Sequence, residues 1–155
     1  MKYEFIEKVN KNEYEEFVEN HPTKSHFMQS YYFGEINKEK GFVPHYVGMK
    51  VNGKLVATSL LLQKKLYNNI CYFYSPRGYV LDYTNLDLIN EFTKQIKIFT
   101  KRNHSFYTAI DPDIKLQKLD IDGNVLEGEN NFELVDYLKK IGYKHLGFNK
   151  NFENR

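Results

Sequence analysis

Asp111, Pro112 and Asp113 close the run His104 to Ile114, His-Ser-Phe-Tyr-Thr-Ala-Ile-Asp-Pro-Asp-Ile. A β-prone stretch that meets a carboxylate and a proline at once reads as a buried strand stopped at a sheet edge. Pro112 has no N–H to give the ladder and fixes its own φ, so it ends the strand and biases Asp111 to an extended backbone. A carboxylate just beyond the carboxyl end of a strand stands where α/β sheets hold their ligands. There it can contact a bound ligand. The same side chain can instead cap the turn that follows, and the residues alone leave both roles open.

Other chemistries find no support in the residue pattern. The five histidines, His21, His26, His45, His104 and His145, show no metal-ligand spacing, and one cysteine gives a structural zinc no ligand set. Gly-x-Ser-x-Gly, Walker and Gly-x-Gly-x-x-Gly patterns are absent. Cys71, in the apolar run Ile70-Cys71-Tyr72-Phe73-Tyr74, has no second cysteine to pair with and reads as a packing residue in a reducing compartment. The 155 residues suit one domain, 41% hydrophobic and 27% charged, which excludes a disordered or membrane-like chain. A balance of 22 basic and 20 acidic residues leaves a net +2, too weak a field to imply nucleic acid or an anionic membrane. No run approaches the about 18 apolar residues of a membrane span, and Met1 to Glu7 lacks the apolar core of a signal peptide. The expectation is a cytoplasmic protein.

The elements that must position Asp111 follow from periodicity. Tyr3–Ile6 reads as a first strand, and Asn12 as the cap of a helix carrying Tyr14, Phe17 and Val18. Ser30 caps a second helix with Phe33 and Ile36 on one face, stopped by Gly41. Asn52-Gly53 between the β-rich runs 45–51 and 54–63 predicts a type I′ hairpin. Tyr67-Asn68-Asn69 turns the chain into a strand over 70–74, which makes a three-stranded meander. Ser75-Pro76-Arg77-Gly78 breaks it, and Thr84 with Asp87 matches a capping box for a long helix whose Ile89, Phe92, Ile96 and Phe99 form an apolar stripe. The strand 106–110, an irregular connection over 116–129, a helix with Phe132, Leu134, Val135 and Leu138, and a final strand over 143–148 complete the order βααβββαβαβ. This is α/β with a mixed, largely antiparallel sheet.

That order resembles the N-acetyltransferase fold and raises acetyl coenzyme A as a cofactor. Acetyltransferases hold its pyrophosphate on a glycine-rich turn, whereas the equivalent junction here, Ser75-Pro76-Arg77-Gly78-Tyr79-Val80-Leu81-Asp82, has one glycine and a proline and lacks an anion nest. Three stretches resemble the Fem family instead, in its order and at roughly its spacing. They are Phe27-Met28-Gln29-Ser30-Tyr31-Tyr32-Phe33-Gly34-Glu35-Ile36, Ser75 to Tyr83, and Ile110-Asp111-Pro112-Asp113. Fem proteins are aminoacyltransferases that move an amino acid from aminoacyl-tRNA to the stem peptide of a peptidoglycan precursor, on two acetyltransferase-like domains without the coenzyme A loop. The resemblance implies that residues 1–155 are the first of those domains, the precursor-binding one, inactive by itself. It implies no cofactor and no metal, with a UDP- or lipid-linked muropeptide and aminoacyl-tRNA as partners, and peripheral membrane association through a lipid-linked substrate. It matches Asp111 to the family's proposed base, Asn37 to a lysine that holds the precursor's diphosphate, and Arg77 to an Arg or Lys of unclear role. Lys38 and Lys40 stand near enough to Asn37 to substitute for that lysine, or form a solvated face; Arg77 can equally be a turn former. The alternatives from other classes are a non-catalytic interaction module on the same scaffold and an ordinary acetyl-coenzyme-A-dependent N-acetyltransferase.

Overall fold

The computed structural model describes residues 2–128 and 130–147, and the chain divides into two compact units, Met1–Asp113 and Ile114–Arg155. The first unit holds strands β1 (Tyr3–Ile6), β2 (Phe42–Val51), β3 (Lys54–Lys65), β4 (Cys71–Ser75), β5 (Val80–Leu81) and β6 (Ser105–Ile110). Its helices are α1 (Lys11–Glu19), α2 (Tyr31–Glu39) and α3 (Leu86–Arg102), with a 3₁₀ turn at Phe27–Gln29. The sheet order is β1-β2-β3-β4-β6, with β5 also on β3. All pairings are antiparallel except β4 with β6. This is the mixed, largely antiparallel sheet that the sequence predicts.

Local chemistry explains most of the turns. Asn52 and Gly53 both take positive φ, 50° and 78°, as a type I′ hairpin demands, and β2 and β3 zip from there with Val51 opposite Lys54. Asn68 and Asn69 do the same before β4, at φ 53° and 61°. Alternation along β2 and β3 then sends side chains to two cores. Tyr46, Leu60 and Leu62 join Val9, Tyr14, Val18 and Val80 on the α1 and α2 side. On the other side Phe92 and Phe99 of α3 meet Phe5, Phe73 and His45 at ring separations of 5.4 to 6.2 Å. The predicted stripe Ile89, Phe92, Ile96 and Phe99 is buried throughout.

Several expectations need correction, beginning with the buried strand before Asp111: β6 is the edge strand of the sheet, and Phe106 and Tyr107 on it are exposed. The cap of α1 is Asn10, whose side chain accepts from the Asn12 N–H; Asn12 lies inside the first turn. The cap of α3 is Asn85, accepting from the Leu88 N–H, because Asp82 has already captured the N–H and hydroxyl of Thr84 and holds that residue outside the helix. β5 was not anticipated, since two residues are too short to show a period and only pairing with β3 defines them. No strand forms over residues 143–147, and Phe148 lies outside the described residues. Beyond Gly142 the Tyr143 N–H turns back to the Leu138 carbonyl, a helix-terminating bond that replaces the ladder bond of a strand.

In the second unit α4 (Phe132–Lys140) is amphipathic. Asn131 anchors its start by donating to the Lys115 and Leu116 carbonyls. Before it, Asp120 Oδ1 accepts from the N–H groups of Asp122 and Asn124 and closes a turn between Leu119 and Val125. Among the described residues no helix is long and apolar enough to cross a membrane.

Candidate functional site

β4 and β5 run in the same direction along one edge of β3, and the chain leaves that edge between them. β3 pairs β4 from Leu62 opposite Tyr74 and pairs β5 up to Thr58 opposite Val80. The residues 76–79 form a detour forced by Pro76, which cannot extend the ladder, and by Arg77 and Gly78, both left-handed at φ 59° and 71°. A non-glycine residue in that region stores roughly 1–2 kcal/mol of strain and survives only where neighbours impose it.

Asp111 is one of those neighbours. β6 lies parallel to β4 with Ile110 opposite Ser75, so the residue after the strand arrives directly beside the detour. Asp111 Oδ1 accepts the Arg77 N–H at 2.7 Å. This is a charge-assisted bond, worth about 1.5–3 kcal/mol in general, and so enough to hold a strained turn. Pro112 packs on the same turn: a Cβ added to Gly78 would lie 2.8 Å from Pro112 Cα and 2.9 Å from the Tyr83 hydroxyl. Ser75 Oγ donates to the Gly78 carbonyl at 2.9 Å, and Tyr83 accepts the Tyr79 N–H at 3.0 Å. The side chain of Arg77 is half-buried, and its Nε finds no hydrogen-bond partner among the described residues.

Two further groups close in on this turn. Gln29 reaches it from the 3₁₀ turn, donating through Nε2 to the Pro76 carbonyl at 2.5 Å and to Ser75 Oγ at 3.3 Å. Lys24 donates to the Asp113 carbonyl and stands 5.5 Å from the centre of the Tyr83 ring. Burial pulls the Lys24 ammonium below its ordinary value, with the Asp113 charge opposing. Burial likewise lowers His21, whose Nδ1 accepts from the Lys24 N–H, against an opposing pull from Asp82. Hydrogen bonds from Thr84 hold Asp82 below the usual carboxylate range.

The structure therefore brings together Asp111 and Arg77 but leaves the other three predicted residues elsewhere. Asn37 is only 5% exposed, and its amide donates to the Phe33 carbonyl one turn back in α2. Lys38 pairs with Glu35 on the surface, and Lys40 is exposed at the end of α2. A concavity of about 500 Å³ includes Lys38 with Lys8, Tyr31, His45 and Arg102 in its lining, and excludes Asp111. Two of its cations are already matched, Lys38 by Glu35 and Arg102 by Glu7. The sequence assigns no role at this turn to Gln29, Lys24 or His21. A lone glutamine in the aromatic run 27–33 is a signal, but its partners lie 31 and 47 positions away.

The three sequence stretches that carried the resemblance thus converge on one turn, through Gln29, Arg77 with Gly78, and Asp111 with Pro112. Residues 9–155 match the FemAB family. The chain belongs to that family. It is 33% identical over 130 residues to aminoacyltransferase FemA of Staphylococcus aureus strain bovine RF122 / ET3-1, and to FemA of strain MW2 to the same degree. Those alignments take in 83% of this chain and 31% of the relative. A crystal structure of FemX superposes with a TM-score of 0.76 at 25% identity, over 96% of this chain and 33% of the other. This FemAB chain thus spans about a third of the length of the relatives it matches. Two acetyltransferases, one from Trypanosoma brucei and the glucosamine-6-phosphate N-acetyltransferase of Arabidopsis thaliana, match over 96% of the chain at a TM-score of 0.54, with 10% and 13% identity. They establish the acetyltransferase-like fold and no more.

Proposed function

We propose that this chain is the N-terminal, precursor-binding domain of a cytoplasmic aminoacyltransferase that builds the interpeptide bridge of the cell wall, the peptidoglycan layer that sets cell shape. The observation that carries the proposal is the convergence of the three Fem-like stretches on the Asp111 turn, together with the FemAB match. An aminoacyl ester on tRNA is already activated, so the reaction needs positioning and proton transfer. The stem-peptide amine attacks the ester carbonyl, a C–N bond forms, the C–O bond to the ribose breaks, and the tRNA hydroxyl leaves with a proton. Asp111, fixed at a strand end by the Arg77 N–H, takes the proton the amine gives up. Arg77, whose side chain starts from the same strained turn and whose N–H holds Asp111, serves substrate binding. Lys38, on its concavity with Lys8 and Arg102, and Lys40 supply charge for the precursor's diphosphate. Asn37, buried with its amide on the Phe33 carbonyl of its own helix, contributes to this site only by packing α2.

The partners are a UDP- or lipid-linked muropeptide and, through the full-length protein, aminoacyl-tRNA; a lipid-linked acceptor would bring the protein to the membrane surface. The test is titration of the full-length protein with each muropeptide, and transfer from aminoacyl-tRNA. Binding of one muropeptide with transfer supports the reading. Failure to bind either, or tight binding of acetyl coenzyme A instead, overturns it.

A further inference from the structure

Gln29 is 1% exposed, one of the few polar side chains so deeply buried, and its two ends do opposite work. Oε1 accepts the Leu60 N–H at 2.8 Å, while Nε2 donates to the Pro76 carbonyl and Ser75 Oγ. Leu60 lies between the part of β3 paired with β4 and the part paired with β5. The glutamine amide therefore stands in for the missing strand backbone across the gap, taking an N–H on one side and giving one on the other. Its own position is fixed from behind, because the buried Tyr14 hydroxyl donates to the Gln29 carbonyl at 2.9 Å. Burial raises the Tyr14 phenol well above its ordinary value and keeps it a donor. We propose that Gln29 is a positioning residue: by bridging β3 to the Ser75–Gly78 turn it sets the Arg77 N–H that holds Asp111.

Few side chains meet this requirement. Leucine fills the space but leaves the Leu60 N–H and the Pro76 carbonyl unpaired in the interior. Glutamate keeps the acceptor and, when ionised, sets a carboxylate oxygen against the Pro76 carbonyl; when protonated, its O–H and C=O reproduce the amide's fork. A buried carboxyl there resists ionisation, so its pKa is raised. The bridge in Gln29→Glu is thus intact at low pH and lost as pH rises through that pKa.

The experiment is amide hydrogen exchange on the 155-residue chain, read as protection factors at Leu60 and Arg77 against Met49 in the β1–β2 ladder. In Gln29→Leu protection falls at least about tenfold at Leu60 and Arg77 and is kept at Met49. In Gln29→Glu, which remains informative if Gln29→Leu does not fold, protection at Arg77 is near wild type at pH 5 and falls as pH rises to 8. Unchanged protection at Arg77, or an equal loss at Met49, overturns the proposal. The functional consequence rests on the base assignment of Asp111: in the full-length protein Gln29→Leu lowers kcat at least tenfold at unaltered muropeptide affinity. If Asp111→Asn transfers normally, that assignment fails alone, and the exchange result still decides whether Gln29 holds the turn.

Discussion

Gly78→Ala probes the nesting of the turn against the Asp111 segment. Gly78 sits at φ +71°, where an L side chain costs about 1–2 kcal/mol. The new methyl would also lie 2.8 and 2.9 Å from Pro112 Cα and Cβ and 2.9 Å from the Tyr83 hydroxyl. The tyrosine can swing aside, but the proline backbone cannot yield without moving Asp111. Overpacking of this kind adds about 1–3 kcal/mol. Gly53→Ala is the control, because Gly53 has nearly the same φ, +78°, with nothing within 4 Å of the added carbon. It should lose only the conformational cost. Chemical denaturation of both variants should then separate them by roughly 1–3 kcal/mol, with the larger loss at Gly78, and transfer by the full-length protein should fall in Gly78→Ala but not in Gly53→Ala. Equal destabilisation by the two alanines would refute the contact between the turn and Pro112, and with it the mechanical link to Asp111.

Two further outcomes are expected. Asn10→Ala should cost about 1 kcal/mol by removing the cap that accepts the Asn12 N–H, while Asn12→Ala should change stability by less than about 0.5 kcal/mol, as thermal melts will report. Burial lowers His45, between Phe73 and Phe99, with its bond to Gln63 opposing; burial lowers His21 as well. The unfolded chain then binds more protons than the folded one below about pH 6.5, so stability is complete above that value and falls as pH drops through it. Melting temperatures between pH 7 and pH 5 should decline, and the decline should shrink in His45→Gln.

The sequence made legible those features whose chemistry is local. Asn52-Gly53 dictates its hairpin because both residues tolerate positive φ, and the α3 stripe is visible because its spacing follows the helix period. The Asp111 strand end could be read from Pro112, which allows no ladder bond. Features that depend on competition or distance were hidden. Asn10, rather than Asn12, wins the α1 cap by a two-residue choice that either asparagine could satisfy chemically, and Asp82 removes Thr84 from contention at α3. Gln29 was visible as a letter but not as a bridge, since its partners Leu60 and Pro76 come together only when the sheet opens between β4 and β5. Asn37 illustrates the reverse: matched by position to a binding lysine, it spends its amide on the Phe33 carbonyl.

The most direct test of the account is the transfer rate of the full-length protein with Asp111→Asn, measured beside muropeptide affinity and melting temperature. Asparagine keeps an oxygen to accept the Arg77 N–H, so the turn should survive with a modest loss of stability and little change in affinity. Removing the proton acceptor should lower turnover by about 10² to 10⁴. An unaltered rate with a lowered melting temperature would contradict the account and assign Asp111 to the scaffold.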